Sequence, residues 1–495
     1  MAYNHGVKVS EKATSILPPV SVSAGIPFIV GTAPVNMSDP LNVNKPVLCS
    51  SYAEAVAAFG YVPPVLDVAS GLKKYEYTIS EFIYSQFALF GASPVIIVNV
   101  LDPATHKQAA SASSVTLSDG AATIKETGII PSSIELSSGA DEEVTEYVLG
   151  TDYIAAFDAD GYLVITSLKA GGTDKVPSGV ALTFSAQKLN PAAITASEII
   201  GGVDVSGNKS GFELVDECFP RFRLVPGLLL APGYSHNAGL AAVMAAKAAN
   251  INQVFSAISL IDAPTDTVGQ YSEVPEWKNT NNVVDPRQLV CWPGIALDGV
   301  YFHLSAQLAG VIDITDSNND DVPYVSPSNN NLNATASVLA DGSEVWIAPD
   351  TGAYLNGQGI ITALNFIGGW KLWGNRTACY PGKIDVKDAF ISVKRMFSWV
   401  GNTIIQTYWS MLDGPLTPRL IDTIVDSINL WLNGLAARQY IIGGRVEFLA
   451  DENPAQDLMD GIIRFHVYIT PASPAREIDF TLEYDIEYLE QLFAA

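Results

Sequence analysis

The stretch KLWGNRTA, residues 371–378, sets Trp373, Gly374, Asn375 and Arg376 side by side in a chain that is otherwise acidic, aliphatic and poor in basic residues. A ring beside the five donors of a guanidinium can serve catalysis, but only with a base or nucleophile partner, and no nearby His, Cys or acidic triad partner is read as supporting that role. Read as a turn, the stretch is self-consistent. Gly374 permits a sharp bend, Trp373 can anchor it in a core, and Arg376 can tie down carbonyls or a carboxylate. The expectation is a structural turn with Arg376 at least partly buried and paired, at the junction of two parts of the fold.

The remaining candidates for chemistry are scattered. His5, His106, His236, His303 and His466 are spread over the chain, and only His236, in the turn APGYSHNAG before a helix, stands where α/β enzymes place catalysts. Capping or solvent exposure is the simpler reading of it. Cys49, Cys218, Cys291 and Cys379 form no CxxC and have no zinc-type spacing, so they are expected reduced and partly buried. No GxxxxGK[ST], full GxGxxG or GxSxG pattern is present. The acidic runs DSNNDD (316–321) and DADG (158–161) lack the complete calcium-loop series and read as solvated turns. No cofactor, no metal and no enzymatic activity are expected.

A formal net charge of -25 argues against nucleic-acid binding, because phosphate neutralisation needs clustered Lys and Arg, and the 27 here are dispersed. No long uninterrupted apolar run suggests membrane insertion, and the N-terminus lacks a secretion pattern, so a soluble, cytoplasmically made protein is expected. With 48% hydrophobic and only 16% charged residues, the 495-residue chain can build large cores and bury surface between subunits.

The elements that must position these residues follow from periodicity. Residues 1–25 are polar and small, with Pro18 and Pro19, and read as an arm. IPFIVGTAP (26–34) reads as a buried strand, 77–93 as a helix stopped by Gly91, and PVIIVNVLD (94–102) as a second buried strand. Helix followed by aliphatic strand is the alternation of a parallel α/β sheet. Residues 103–200 turn Ser-, Thr- and Gly-rich, with Asp-Gly turns at 119–120 and 160–161 and a hairpin of DYIAAF with YLVITSL, as an all-β insertion would. The α/β pattern resumes over 224–264 and 287–297, with a helix expected to start near Val300. A long polar loop is expected over 313–333, of the kind that is functional or held by a neighbour. Residues 417–441 read as an amphipathic helix with Thr417 as N-cap and Pro418 at its first position, its apolar face formed by Ile421, Ile424, Val425, Ile428, Trp431 and Leu435. GRVEFLAD (444–451) and GIIRFHVYITP (461–471) read as strands. In the tail, Ile478, Phe480, Leu482, Tyr484, Ile486 and Tyr488 alternate with polar residues, the period of a half-buried strand.

GGWKLWGNRTACY (368–380) resembles the signature of contractile tail sheath proteins, where a W-G-x-R-T turn occurs late in the chain. NHGVKVSE near the start resembles that family's N-terminal strand, and PYVSPSNNNLNA resembles its SPAN loop, with Ser328 where the family often has Ala. The resemblance covers most of residues 1–102 and 211–495. It implies an α/β fold: a core of subtilisin-like topology (26–102 and 201–370), an outward-facing β-rich insertion (103–200), a C-terminal α+β part (371–475) facing the tube, and arms at 1–25 and 476–495. It further implies a structural protomer that polymerises with itself as stacked hexameric rings around a tail tube protein, alongside baseplate and tail terminator proteins. Such a sheath, in a virion or phage-tail-like particle, contracts to drive the tube through a cell envelope. Beside this expectation stand an α/β hydrolase-like enzyme and a surface binding or adhesion protein. The residues expected in inter-subunit strands are Val7 and Val9 of one neighbour's arm, Val446, Phe448, Phe465 and Val467 of an acceptor sheet, and Ile478, Phe480, Leu482, Tyr484 and Ile486 of another neighbour's tail. Pairing of the tail within its own chain is the alternative.

Overall fold

A computed structural model describes residues 19, 22–139 and 144–493; Val7 and Val9 lie outside the described residues. The apolar runs form strands that are covered on both faces, as continuous hydrophobicity requires. β1 (Pro27–Gly31), β2 (Val47–Cys49), β3 (Val95–Asn99), β4 (Leu228–Leu230), β5 (Ile258–Asp262), β6 (Gln288–Cys291), β7 (Ile360–Asn365) and β8 (Trp370–Trp373) make one sheet, in the order β2-β3-β1-β4-β5-β6-β7-β8. The strands from β3 to β7 run parallel, while β2 and β8 close the two edges antiparallel.

Alternation along each strand feeds two cores. Phe28, Val30, Ile96, Val98, Leu229 and Ile261 pack on one face against α2 (Ala238–Ala249), whose first turn is capped by the Asn237 side chain. Ile29, Ile97, Leu230 and Leu260 pack on the other against α1 (Thr78–Ile83) and α3 (Leu304–Ser317). α1 runs on through a π-helical segment, Tyr84–Phe90, and ends at Gly91 in the left-handed conformation. Helix α3 begins later than the expected Val300, because Val300–Phe302 pairs antiparallel with Gly294–Leu297 as β-branched and aromatic residues favour. It also runs into the expected loop as far as Ser317, since Asp313 and Asp316 are taken into the interior on its last turns.

Between Lys107 and Leu189 the described residues form short antiparallel strands around a separate core of Leu117, Leu136, Tyr153, Leu163, Ile165 and Phe184. Tyr153–Phe157 pairs with Leu163–Ser167 across the second Asp-Gly turn.

The C-terminal third builds another core from α4 (Ile391–Tyr408), α5 (Pro418–Ala437) and the two-stranded sheet of β9 (Ile441–Glu447) and β10 (His466–Pro471). Thr417 caps α5 by accepting from the Leu420 N–H at 3.2 Å, and Ile424, Ile428, Leu432 and Leu435 turn inward. The tail departs from the strand expected of it. Residues 476–485 carry no ladder, Ile486–Phe493 closes into a 3-10 turn, and Phe480 and Leu482 are 86% and 95% exposed. An extended segment becomes a strand only against an edge, and among the described residues the tail meets none.

Candidate assembly elements

The W-G-N-R-T turn leads out of β8 toward a short helix, Val386–Ala389, that precedes α4. Gly374 has φ +149°, and a Cβ there would lie 2.9 Å from Ile361 Cα, so the position is closed to side chains. Its N–H donates to Ser328 Oγ at 3.0 Å. The same loop clips onto β8 through Asn329 N to Leu372 O at 2.6 Å, Leu372 N to Asn330 O at 2.9 Å and Leu332 N to Trp370 O at 3.0 Å. The two late motifs of the sequence therefore meet, and the polar loop is held by its own chain. Trp373 packs against the sheet core. Arg376 is half-buried as expected, but its partners differ: its guanidinium carbon lies 3.7 Å from the Phe390 ring centroid and 4.3 Å from that of Tyr380. Two rings supply the negative faces a cation needs without the desolvation of a carboxylate.

Lys278 pins the far side of this turn. The side chain is buried, and its ammonium donates to the carbonyls of Gln358, Ala378 and Tyr380 at 2.5, 2.9 and 2.9 Å, while burial pulls its pKa down to about 8. Periodicity did not single it out, for a lysine in a short polar helix looks solvent-facing.

A crevice of about 270 Å³ opens at the carboxyl ends of β4, β5 and β6, where α/β folds commonly bind ligands. Its polar groups are engaged with one another. His303 Nδ1 lies 2.9 Å from Glu81 Oε2, the His303 N–H donates to Glu81 Oε1 at 2.7 Å, and Ser305 donates to Asp262 through both its N–H and its hydroxyl. Burial works to lower the His303 pKa, but the Glu81 and Asp262 carboxylates outweigh it and hold it at about 9. His236 stands exposed on the rim, and Asn237, not His236, caps the helix. The four cysteines are free and buried. Among the described residues no cluster of three or more His, Cys, Asp or Glu is placed to hold a metal, and no helix is long and apolar enough to cross a membrane.

The proposed acceptor strands do pair. Val446 opposes Val467 in the β9–β10 ladder, and the Phe448 and Phe465 rings lie 5.7 Å apart just beyond it. Among the described residues no third strand joins this hairpin, while the Asn429 side chain of α5 covers the outer edge of β9 at Val446, accepting from its N–H at 2.9 Å and donating to its carbonyl at 3.2 Å.

The root of the N-terminal arm is anchored beside this part. Arg395 on α4 forms a bidentate pair with Asp316 on α3, both nearly inaccessible at 3% and 1% side-chain exposure. Asp313, one turn earlier, has a buried Oδ2 with no hydrogen-bond partner. Burial first, then Asp316 and Asp321, push its pKa up to about 8 against the pull of Arg395. A carboxyl that ionises near 3.8 when unfolded and near 8 when folded holds an extra proton in the native state between those values. Its contribution to stability is therefore present at low pH and falls as pH rises through that window. Asp313→Asn should flatten the decline; urea melts of both proteins at pH about 4, 6 and 8 measure it.

No known family profile matches the chain. The chain is 27% identical over 499 residues, 98% of either chain, to a tail sheath protein of Burkholderia phage BcepMu. It is 26% identical over 309 residues, 61% of this chain and 74% of the relative, to a tail sheath protein of Escherichia phage P2. Among solved structures, its fold matches the sheath complex of an extracellular contractile injection system in the contracted state, with TM-score 0.57, 14% identity and 99% of either chain covered. It also matches the contracted helical sheath of the anti-feeding prophage, with TM-score 0.54, 17% identity and coverage of 97% and 99%. None of these relatives supports the hydrolase-like or the adhesion reading. The resemblance carried by the W-G-N-R-T turn thus extends along the whole chain: this is a homologue of phage and prophage tail sheath proteins, with the fold of contractile-injection-system sheaths.

Proposed function

We propose that the chain is the structural protomer of a contractile tail sheath, polymerising with itself as stacked hexameric rings around a tail tube and contracting to drive that tube through a cell envelope. The observation that carries this is the likeness to a tail sheath protein over 98% of both chains. In this reading the sheet of β1–β8 is the subtilisin-like core, residues 103–200 form an outward-facing insertion, and 371–475 faces the tube. Baseplate and tail terminator proteins cap the stack.

Subunits are joined by strand exchange. The β9–β10 hairpin, around Val446, Phe448, Phe465 and Val467, accepts the tail residues Ile478, Phe480, Leu482, Tyr484 and Ile486 of one neighbour and the arm carrying Val7 and Val9 of another. Two observations support it: among the described residues no third strand joins the hairpin, and the tail exposes apolar side chains at every second position. A wholly exposed apolar row of that length is what an absent partner leaves behind.

Each copy carries -25 charges, so assembly concentrates like charge that salt screens beyond about 8 Å at physiological ionic strength. Ultracentrifugal pelleting of the purified protein should yield polymer, and less of it as salt is lowered about tenfold. Pelleting that ignores salt contradicts the repulsion, and a chain that never pellets contradicts the proposed assembly.

A further inference from the structure

Residues 22–25, the last of the arm before β1, lie in a slot that holds them through two backbone carbonyls and the buried side chain of Val22. Trp399 Nε1 donates to Val22 O at 2.7 Å, and Arg395 Nη2 donates to Ala24 O at 3.1 Å. Trp399 and Arg395 stand four residues apart on α4, a rise of about 6 Å, while carbonyls two residues apart on an extended chain are separated by about 6.6 Å. One face of a helix thus matches the repeat of an extended segment. The slot is also shaped for it: a Cβ on Gly227 would fall 1.8 Å from Ala24 O, and one on Gly25 would fall 2.6 Å from Asp313 Oδ1. Val22 adds an apolar peg in the core of α4, α5 and β9.

We propose that Arg395 and Trp399 are positioning residues that fix the direction in which the N-terminal arm leaves the subunit, binding its root to the part of the fold that carries the β9–β10 hairpin. Arg395 can do so because Asp316 holds its guanidinium rigid and leaves one N–H free for Ala24. Trp399 contributes a single indole donor. The exit is thus set by two carbonyls, the Val22 side chain and the close fit at Gly25. The importance of that exit rests on the sheath reading; the slot itself does not.

Spin labels on Pro19→Cys, just before the slot, and Asp422→Cys, on the exposed side of α5, report the exit directly. The native cysteines are buried, and dilution into unlabelled chain keeps the measured distance intramolecular. The parent should give one narrow distance distribution. Trp399→Phe, which removes the donor and keeps the ring, and Gly25→Ala, which fills the slot, should each lose that single narrow peak. Arg395→Lys should do the same if it folds. Gly401→Ala, on the same helix with nothing within 4 Å of the added Cβ, should leave the peak unchanged. A broad parent distribution, a narrow peak that survives in both Trp399→Phe and Gly25→Ala, or equal broadening in Gly401→Ala overturns the proposal. Because the readout is one chain's internal distance, it stands whether or not the chain forms tubes, and tube formation is scored separately on the unlabelled protein.

Discussion

Deletion of residues 476–495 is expected to yield a folded, soluble monomer that no longer polymerises. The tail contributes nothing to the packed cores: from Glu477 to Tyr488 its described side chains are exposed, and its backbone joins no sheet. Six apolar side chains buried on a neighbour's edge would gain roughly 10 kcal/mol. Ordering about eleven residues costs a similar amount in backbone entropy. A balance that close to zero makes each junction weak alone, so assembly depends on main-chain hydrogen bonds and on several junctions acting together. Loss of one arm type should then abolish long polymers rather than shorten them. Circular dichroism and thermal melting should match the full chain while pelleting disappears; tubes formed by the deleted protein would refute strand exchange through the tail.

Asp316→Ala is expected to be the most damaging single substitution among the buried polar groups, costing about 3–5 kcal/mol, because it leaves the Arg395 guanidinium buried without its counter-charge. Arg395 and Asp316 are 3% and 1% exposed, and Asp313 beside them already has a buried oxygen without a partner. Denaturant melts report the loss directly. A cost below about 1 kcal/mol would mean that the pair is solvated in solution and that its hold on the arm root is weak.

These two residues also show where sequence reading stops. Elements whose cause is local were legible: α5 announces itself by Thr417, Pro418 and an apolar face, and β1 and β3 by unbroken aliphatic runs. The W-G-N-R-T turn was legible as a turn because Gly374 and its flanking residues define it. What was not legible depends on partners far away in sequence. Arg395 and Asp316 are separated by 79 positions, and Lys278 meets carbonyls 80 to 102 residues on. The expectation that Arg376 would tie down carbonyls or a carboxylate missed Tyr380 and Phe390, because an aromatic in the sequence gives no hint of which cation it will face. A faint signal for Arg395 did exist: an Arg one turn before Trp399, on the apolar side of a helix, has nowhere to go but inward. The tail is the opposite case. Its alternation states a strand plainly, yet period two specifies a face and not a partner, and among the described residues that face stays exposed.

Electron microscopy of the purified, negatively stained protein tests the central claim most directly. Transversely striated tubes, built of stacked rings, are the expected result; monodisperse single subunits at every salt concentration would contradict it.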